Sequence, residues 1–278
     1  MFIKLDPEVI DLLCCPMCKG NLSRETHGFV CPDCASHFLQ KSLTVGDHDE
    51  VFFDFRIQHP PYCTPRTEKE WAETQGLYKK YNAELARKDD YYDYLTEIDS
   101  VREIYMQEFH LEGKILDIGG HQGRLRHYLP ESRITFYISV DPFPDVFENI
   151  QNQPNLLRAF PDLSRPCNFV ASFAERLPFK KCAFDWVHMR SVVDHFADPY
   201  LALKEAYRVL KPNGRLMIGL SIVELPAGTE DDHAFRLSYN HLMDLLSLTG
   251  FAVEKERWQK PPWTYVIYLS ARAAKTGQ

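Results

Sequence analysis

The sequence predicts an α/β protein: a mostly parallel sheet with helices on both faces and an antiparallel C-terminal edge, preceded by a small cysteine-rich module. Three observations predict it. Between residues 114 and 270, apolar runs of strand length alternate with helical segments, the pattern of a parallel sheet whose strands are joined by helices. The first of those runs ends in a glycine-rich turn, and five of the eight cysteines lie before residue 35.

The cysteines come first along the chain. Cys15-Pro-Met-Cys18 and Cys31-Pro-Asp-Cys34 are two Cys-x-x-Cys pairs separated by twelve residues, a spacing at which two turns bring four thiolates to the corners of a tetrahedron. Four protein ligands leave no open position for water, so the expected ion is one structural zinc that holds the fold. Cys14 is expected to point away from the metal, and His37 stands outside the ligand set. The stretch from Leu12 through Cys15, Pro16, Met17 and Cys18 to Leu22 resembles the opening of the small zinc-ribbon activators that pair with methyltransferases acting on tRNA, rRNA and release factors. Residues 1–58 are therefore read as a zinc ribbon joined to a larger partner.

The composition, 45% hydrophobic and 26% charged over 278 residues, excludes a disordered or fibrous chain. No apolar run reaches membrane-spanning length, and Lys4, Asp6, Glu8 and Asp11 interrupt the start where a signal peptide would be apolar. A soluble, cytoplasmic protein with no membrane contact is expected. The net charge of -7 speaks against a broad nucleic-acid footprint, which needs clustered Lys and Arg.

Residues 59–110 read as a linker and helical lid region. Pro60-Pro61-Tyr62-Cys63-Thr64-Pro65 is the linker, and Thr67 to Phe109 is a charged, aromatic-rich helical stretch that Thr67 and Glu70 can open as a capping box. From 111 to 278 the larger domain follows. Its expected strands are Lys114–Ile118, Thr135–Val140, Asn168–Ala171, Trp186–Met189 and Arg215–Leu220, with helices after Gly123 and over Pro199–Leu210. A helix over Tyr239–Leu248, ended by Gly250, precedes two closing strands, Val253–Arg257 and Thr264–Leu269.

Ile115 to Gly123 runs from an apolar strand into the turn Gly119-Gly120-His121-Gln122-Gly123, where backbone amides can approach a ligand at a helix start. The next strand ends in Asp141, suited to accept both hydroxyls of a ribose. At this point the chain resembles the class I S-adenosylmethionine-dependent methyltransferases. The likeness extends over Ala174-Glu175-Arg176-Leu177-Pro178-Phe179, Phe184-Asp185, Asp198-Pro199 and Ala202 through Arg208-Val209-Leu210-Lys211-Pro212 to Leu216. That string is typical of the subgroup containing the ubiquinone and menaquinone methyltransferases. The resemblance implies a Rossmann-like sheet with S-adenosylmethionine held by Asp117, Gly119, Gly120, His121, Gly123, Asp141, Pro142, Phe173, Ala174 and Arg190. It implies further that Asp117 and Gly119 lie near the methionine end, Asp141 at the ribose, and Phe173 and Ala174 beside adenine. Two positions depart from the family: His121 replaces a glycine, and Phe173 an acidic residue that accepts the adenine amino group.

Methyl transfer asks of a protein mainly alignment, a dry pocket and, for oxygen or nitrogen acceptors, a base. Arg190, Ser191, Asp194 and His195 follow a strand at its carboxyl end, where ligands of such sheets meet. His195 can take an acceptor proton or simply bond to backbone at a helix start. His233, in an acidic loop over Glu224 to Asp232, is a second base or part of a solvated loop. His188 is expected to fill or flank the core. Tyr78 and Tyr81 share a helix face and can roof the site, whereas Lys79-Lys80 and Asp89-Asp90 read as solvated charges. Three functions compete: methyl transfer to a small-molecule acceptor, methyl transfer to RNA or a translation factor with the ribbon's help, and a non-catalytic scaffold with a degenerate cofactor site.

Overall fold

The computed structural model describes residues 1–57, 68–222, 237–259 and 265–273. The proline linker, the Thr67 cap, the acidic loop with His233 and the first residue of the last expected strand, Thr264, lie outside them.

The chain opens with a short strand β1 (Ile3–Lys4) and helix α1 (Pro7–Ile10), then the cysteine turns. Strands β2 (Ser23–Glu25), β3 (Gly28–Val30), β4 (His37–Val45) and β5 (His48–Asp54) follow as an antiparallel meander. The helical stretch is two helices, α2 (Glu68–Lys88) and α3 (Tyr91–Glu103), ending in one π-turn over Ile104–Glu108. The break falls at Asp89, whose φ is +40°. Neither aspartate there is a solvated charge. Asp90 caps α3 by accepting the N–H groups of Tyr92 (2.9 Å) and Asp93 (3.3 Å). Asp89 accepts those of Asn155 and Leu156, both at 3.0 Å, where helix α4 (Pro154–Ala159) begins. Helix starts leave N–H groups without partners, and both carboxylates are spent on them.

The larger sheet consists of β6 (Gly113–Ile118), β7 (Ile134–Asp141), β8 (Cys167–Ala171), β9 (Phe184–Arg190) and β10 (Leu210–Ile222), with α5 (Pro199–Val209) before β10. After α6 (Tyr239–Leu248) come β11 (Phe251–Gln259) and β12 (Tyr265–Ala273). The order is β11-β12-β10-β9-β6-β7-β8, parallel within β6 to β10 and antiparallel where β12 joins β10 and β11 joins β12. The expected sheet and its antiparallel edge are both present. The expected helix after Gly123 is not. Arg124–Tyr128 forms a single 3-10 turn, because Pro130 bars its predecessor Leu129 from helical backbone and ends the segment within seven residues.

The N-terminal module completes this sheet. β1 pairs in parallel with the first half of β8 (Ile3 opposite Cys167) and β5 with its second half (Phe53 opposite Val170, Asp54 opposite Ala171). Together they cover an edge that would otherwise expose unpaired backbone groups. Their side chains also share one apolar core, in which Phe29, Phe38 and Phe55 of the module join Leu177, Phe179 and Phe184. Phe38 stacks on Phe55 with ring centroids 5.1 Å apart, and Phe29 lies 4.9 Å from Phe53. On the opposite face a second core gathers α3, the π-turn, α4 and the 3-10 turn.

Candidate functional site

The glycine turn leaves β6 with Gly119 at φ +71° and its N–H bonded to the Val140 carbonyl at 2.7 Å. Gly120 is tied by space instead: a Cβ there would meet Asp117 Oδ2 and Ser139 Oγ, each at 2.7 Å. His121 adopts φ +46°, a left-handed conformation that histidine tolerates better than most residues, so the departure from glycine is accommodated. Its N–H reaches Asp141 Oδ2 at 3.3 Å, and Asp141 Oδ1 accepts the Phe143 N–H at 2.9 Å. Burial pushes the Asp141 carboxyl above its ordinary range, with His121 and these two N–H groups pulling the other way.

Two adjoining cavities open here. A narrow slot of about 60 Å³ is lined by Asp141, Pro142, Phe143, Phe173, Ala174 and Glu175. A cavity of about 1000 Å³ lies between α2 and the strand ends, with Tyr81, Asp117, Gly120, Arg190 and Ser191 in its wall. Gly119, His121, Phe143, Val192 and His195 line both, which makes them the junction. The slot has aromatic rings and two buried carboxylates, Asp141 and Glu175, and rings beside a carboxylate suit a nucleoside. Glu175 does not replace the acid missing at Phe173. Its Oε1 accepts the Ala197 (2.8 Å) and Asp198 (3.1 Å) N–H groups, and burial raises its pKa.

Of the sequence candidates, Asp117, Gly119, Gly120, His121, Asp141, Pro142, Phe173, Ala174, Arg190, Ser191 and His195 line one or both cavities. Tyr81 does so from the roof, and the Tyr78 side chain lies outside the described set. Gly123 packs against Arg126, Cys167 and Tyr137 and faces neither cavity. Asp194 is buried in the turn before α5, likewise away from both linings. Lys79 leans over the Phe143 ring, 4.5 Å from its centroid, with Asp145 at 3.8 Å.

Sequence reasoning missed the floor of the large cavity. Asp117 is buried between the Tyr137 hydroxyl, which donates to Oδ2, and His188 Nδ1, 2.6 Å from Oδ1. His188 Nε2 lies 2.7 Å from the Tyr105 hydroxyl. His188 is thus buried, as expected, yet it stands in the cavity wall inside a polar chain Tyr137–Asp117–His188–Tyr105. The one available signal was a histidine in an otherwise apolar strand, since a buried polar group needs partners. Beside this chain, Glu97 of α3 binds Arg190 (Oε1, 3.1 Å) and Arg124 (Oε2, 3.0 Å). Burial alone would raise the Glu97 pKa, but the two guanidiniums outweigh it and hold it low.

The Sγ atoms of Cys15, Cys18, Cys31 and Cys34 all lie within 4.8 Å of one another, with Cys15–Cys34 at 3.6 Å and Cys18–Cys31 at 3.4 Å. A tetrahedral zinc with bonds of about 2.3 Å spaces its sulfurs by about 3.8 Å, so this set fits zinc. The two halves repeat one backbone device. Lys19 and Ala35, both at positive φ, donate to the Cys15 and Cys31 carbonyls at 2.8 Å, and those cysteines donate back to Gly20 and Ser36. Cys14 stands outside the set, its N–H on the Pro178 carbonyl.

Comparison with known proteins defines the class. Residues 116–218 match the family model of a methyltransferase domain, and residues 6–39 match that of Trm112p-like proteins. The chain therefore combines the S-adenosylmethionine methyltransferase fold with a Trm112-type ribbon whose four cysteines have zinc-binding geometry.

Among individual relatives, the ubiquinone/menaquinone biosynthesis C-methyltransferase UbiE of Rickettsia typhi is 27% identical over 164 residues, 54% of this chain and 61% of that protein. The chain thus spans about three fifths of the length of this relative. An uncharacterized methyltransferase of Schizosaccharomyces pombe is 31% identical over 109 residues, covering 36% of this chain and 37% of that one. The Burkholderia thailandensis 1,6-didemethyltoxoflavin-N1-methyltransferase, solved with 1,6-didemethyltoxoflavin and S-adenosylhomocysteine bound, superposes with a TM-score of 0.54 at 18% identity. That match covers 78% of this chain and 94% of the other. The complex of the Haloferax volcanii Trm112 methyltransferase activator with a methyltransferase gives 0.51 at 16% identity, over 70% and 97%. Among the described residues no helix is long and apolar enough to cross a membrane.

Proposed function

We propose that this protein transfers a methyl group from S-adenosylmethionine to a small-molecule acceptor. The observation that carries the reading is the pair of adjoining cavities: an aromatic-lined slot at Asp141 opening onto a roofed space of about 1000 Å³. The cofactor, when bound, supplies a methyl group already activated on a cationic sulfur. Asp141 would accept the ribose hydroxyls, Phe173 and Pro142 would flank the base, and the backbone from Gly119 to His121 would hold the methionine end.

The protein's own part is then to align the acceptor, exclude water and take a proton. His195 at the junction is the base for an oxygen or nitrogen acceptor. The Tyr105–His188–Asp117 chain in the floor is a second route, since Tyr105 can pass a proton to His188 while Asp117 holds the ring. A carbon acceptor, as the name of the Rickettsia relatives suggests, makes the same demand: a phenol ring carbon becomes nucleophilic when the hydroxyl loses its proton. The ribbon acts within its own chain, completing the sheet edge beside the cofactor slot. Its free thiolates suit a reducing compartment, which supports a cytoplasmic protein.

A second reading, an RNA or translation-factor substrate, is favoured by the Trm112p-like match. Incubation of zinc-loaded protein with methyl-tritiated S-adenosylmethionine and fractionated cell extract separates the two. Label is expected in the small-molecule fraction; label confined to RNA or protein would overturn the first reading.

A further inference from the structure

The two arginines in the cavity floor share a single carboxylate. Arg124 and Arg190 each give one guanidinium N–H to Glu97, and the neighbouring Asp117 is engaged by Tyr137 and His188. The trio carries two positive charges and one negative, and the Asp117 carboxylate in the same wall supplies the second negative charge. Two buried polar atoms at the same place lack a partner among the described residues: Arg124 Nε and the Tyr128 hydroxyl. Tyr128 is only 4% exposed, and its ring stacks on Tyr105 with centroids 5.1 Å apart. Arg124, Tyr128 and Arg190 all line the large cavity. Buried donors without partners are costly, and a site that leaves several together is built for something that arrives.

The opposite wall is of another kind. Leu77, Tyr81 and Leu85 recur every fourth residue along α2, line the same cavity and leave their apolar surface exposed, forming one stripe of the helix. The cavity thus sets an apolar stripe of α2, flanked by Lys80, Glu84 and Lys88, against a floor that holds two guanidiniums.

We propose that the methyl acceptor is amphipathic, with an apolar, ring-sized body under Leu77, Tyr81 and Leu85 and a carboxylate held by Arg124, Arg190 and the Tyr128 hydroxyl. A carboxylate offers two oxygens in the plane a guanidinium fork meets, and a hydroxyl donor can complete it. This inference rests on the reading of the cavities given above, and it names the acceptor class that reading leaves open. The cofactor's own amino-acid carboxylate is the other source of the same chemistry, and the test separates the two.

Phenylacetate and its uncharged counterpart phenylacetamide are titrated calorimetrically into the zinc-loaded full chain, with and without saturating S-adenosylhomocysteine. The expected result is that phenylacetate binds alongside S-adenosylhomocysteine, about tenfold or more tighter than the amide. Tyr128→Phe removes one hydroxyl and leaves no group unsatisfied, so it should fold normally, weaken phenylacetate several-fold and leave S-adenosylhomocysteine affinity unchanged. Arg190→Met should abolish the discrimination between acid and amide. Equal binding of acid and amide would overturn the proposal, as would tighter binding of phenyl phosphate. Competition between phenylacetate and S-adenosylhomocysteine would assign the arginines to the cofactor and overturn it too. Failure of S-adenosylhomocysteine itself to bind sinks the cofactor reading and this one with it, whereas normal cofactor binding without acid discrimination sinks the acceptor class alone.

Discussion

Glu205 and Glu97 are each clasped by two cations, and they do opposite things. Glu205 on α5 takes Arg208 Nε at 2.6 Å and Nη2 at 2.8 Å together with Lys19 Nζ of the first cysteine turn at 2.6 Å. The donors left over are used as well: Arg208 reaches the Phe179 and Leu177 carbonyls, and Lys19 also meets Leu177. Every group is satisfied, so the cluster is cement between the ribbon and the Leu-Pro-Phe segment. Glu97 has the same two-cation arrangement, but beside it Arg124 Nε and the Tyr128 hydroxyl are buried without a partner among the described residues, on side chains that line a cavity. Charge pairing alone does not separate a structural cluster from a binding site; the fraction of donors already satisfied does.

The largest effect that would break this contrast concerns the metal that organises the turn carrying Lys19. Zinc-loaded protein should contain one zinc per chain by metal analysis, and Cys15→Ser with Cys31→Ser should contain none and unfold at markedly lower temperature, since structural zinc binding is folding free energy. Full zinc retention would show the ligand set to be wrong.

Next in size is the pair of glutamates itself. Glu205→Ala strands Lys19 and Arg208 in a site where the carboxylate is 12% exposed, and should cost about 3–5 kcal/mol in denaturant unfolding. Glu97→Ala leaves its arginines facing an open cavity and should cost less than half as much. Equal losses would erase the distinction drawn between them.

A smaller effect is expected from pH. At Glu205 burial would raise the pKa, but Arg208 and Lys19 outweigh it and hold it below the ordinary value, as the arginines do at Glu97. A carboxyl with a depressed folded pKa contributes stability that is present above its unfolded value, about 4.3, and lost as pH falls through the folded value. Unfolding free energy should therefore drop on acidification below about pH 4.5, and Glu205→Ala should flatten that drop. An unchanged acid limb in the variant would remove Glu205 from the account.

The contrast also explains what could be read from sequence. The zinc ligands were legible because Cys15 to Cys18 and Cys31 to Cys34 sit within single turns, where spacing dictates geometry. Asp117, Gly119 and Asp141 were legible because they end adjacent parallel strands, β6 and β7. The Glu97 cluster was not, because its members come from α3, the 3-10 turn and β9, 27 and 93 residues apart, and only the closed sheet brings them together. The ribbon's place in the sheet was hidden for the same reason, as β5 pairs with β8 across more than a hundred residues. Asp89 and Asp90 looked like surface charges because helix capping depends on where a helix breaks, and the periodicity of Thr67 to Phe109 showed no break.

The central claim is that the slot at Asp141 holds S-adenosylmethionine despite His121 and Phe173. Isothermal titration of the zinc-loaded chain with S-adenosylmethionine and S-adenosylhomocysteine tests it most directly. Both should bind at one site per chain, and Asp141→Asn should weaken both by about tenfold or more through the ribose hydrogen bonds. No detectable binding of either ligand to folded, zinc-loaded protein would contradict the account.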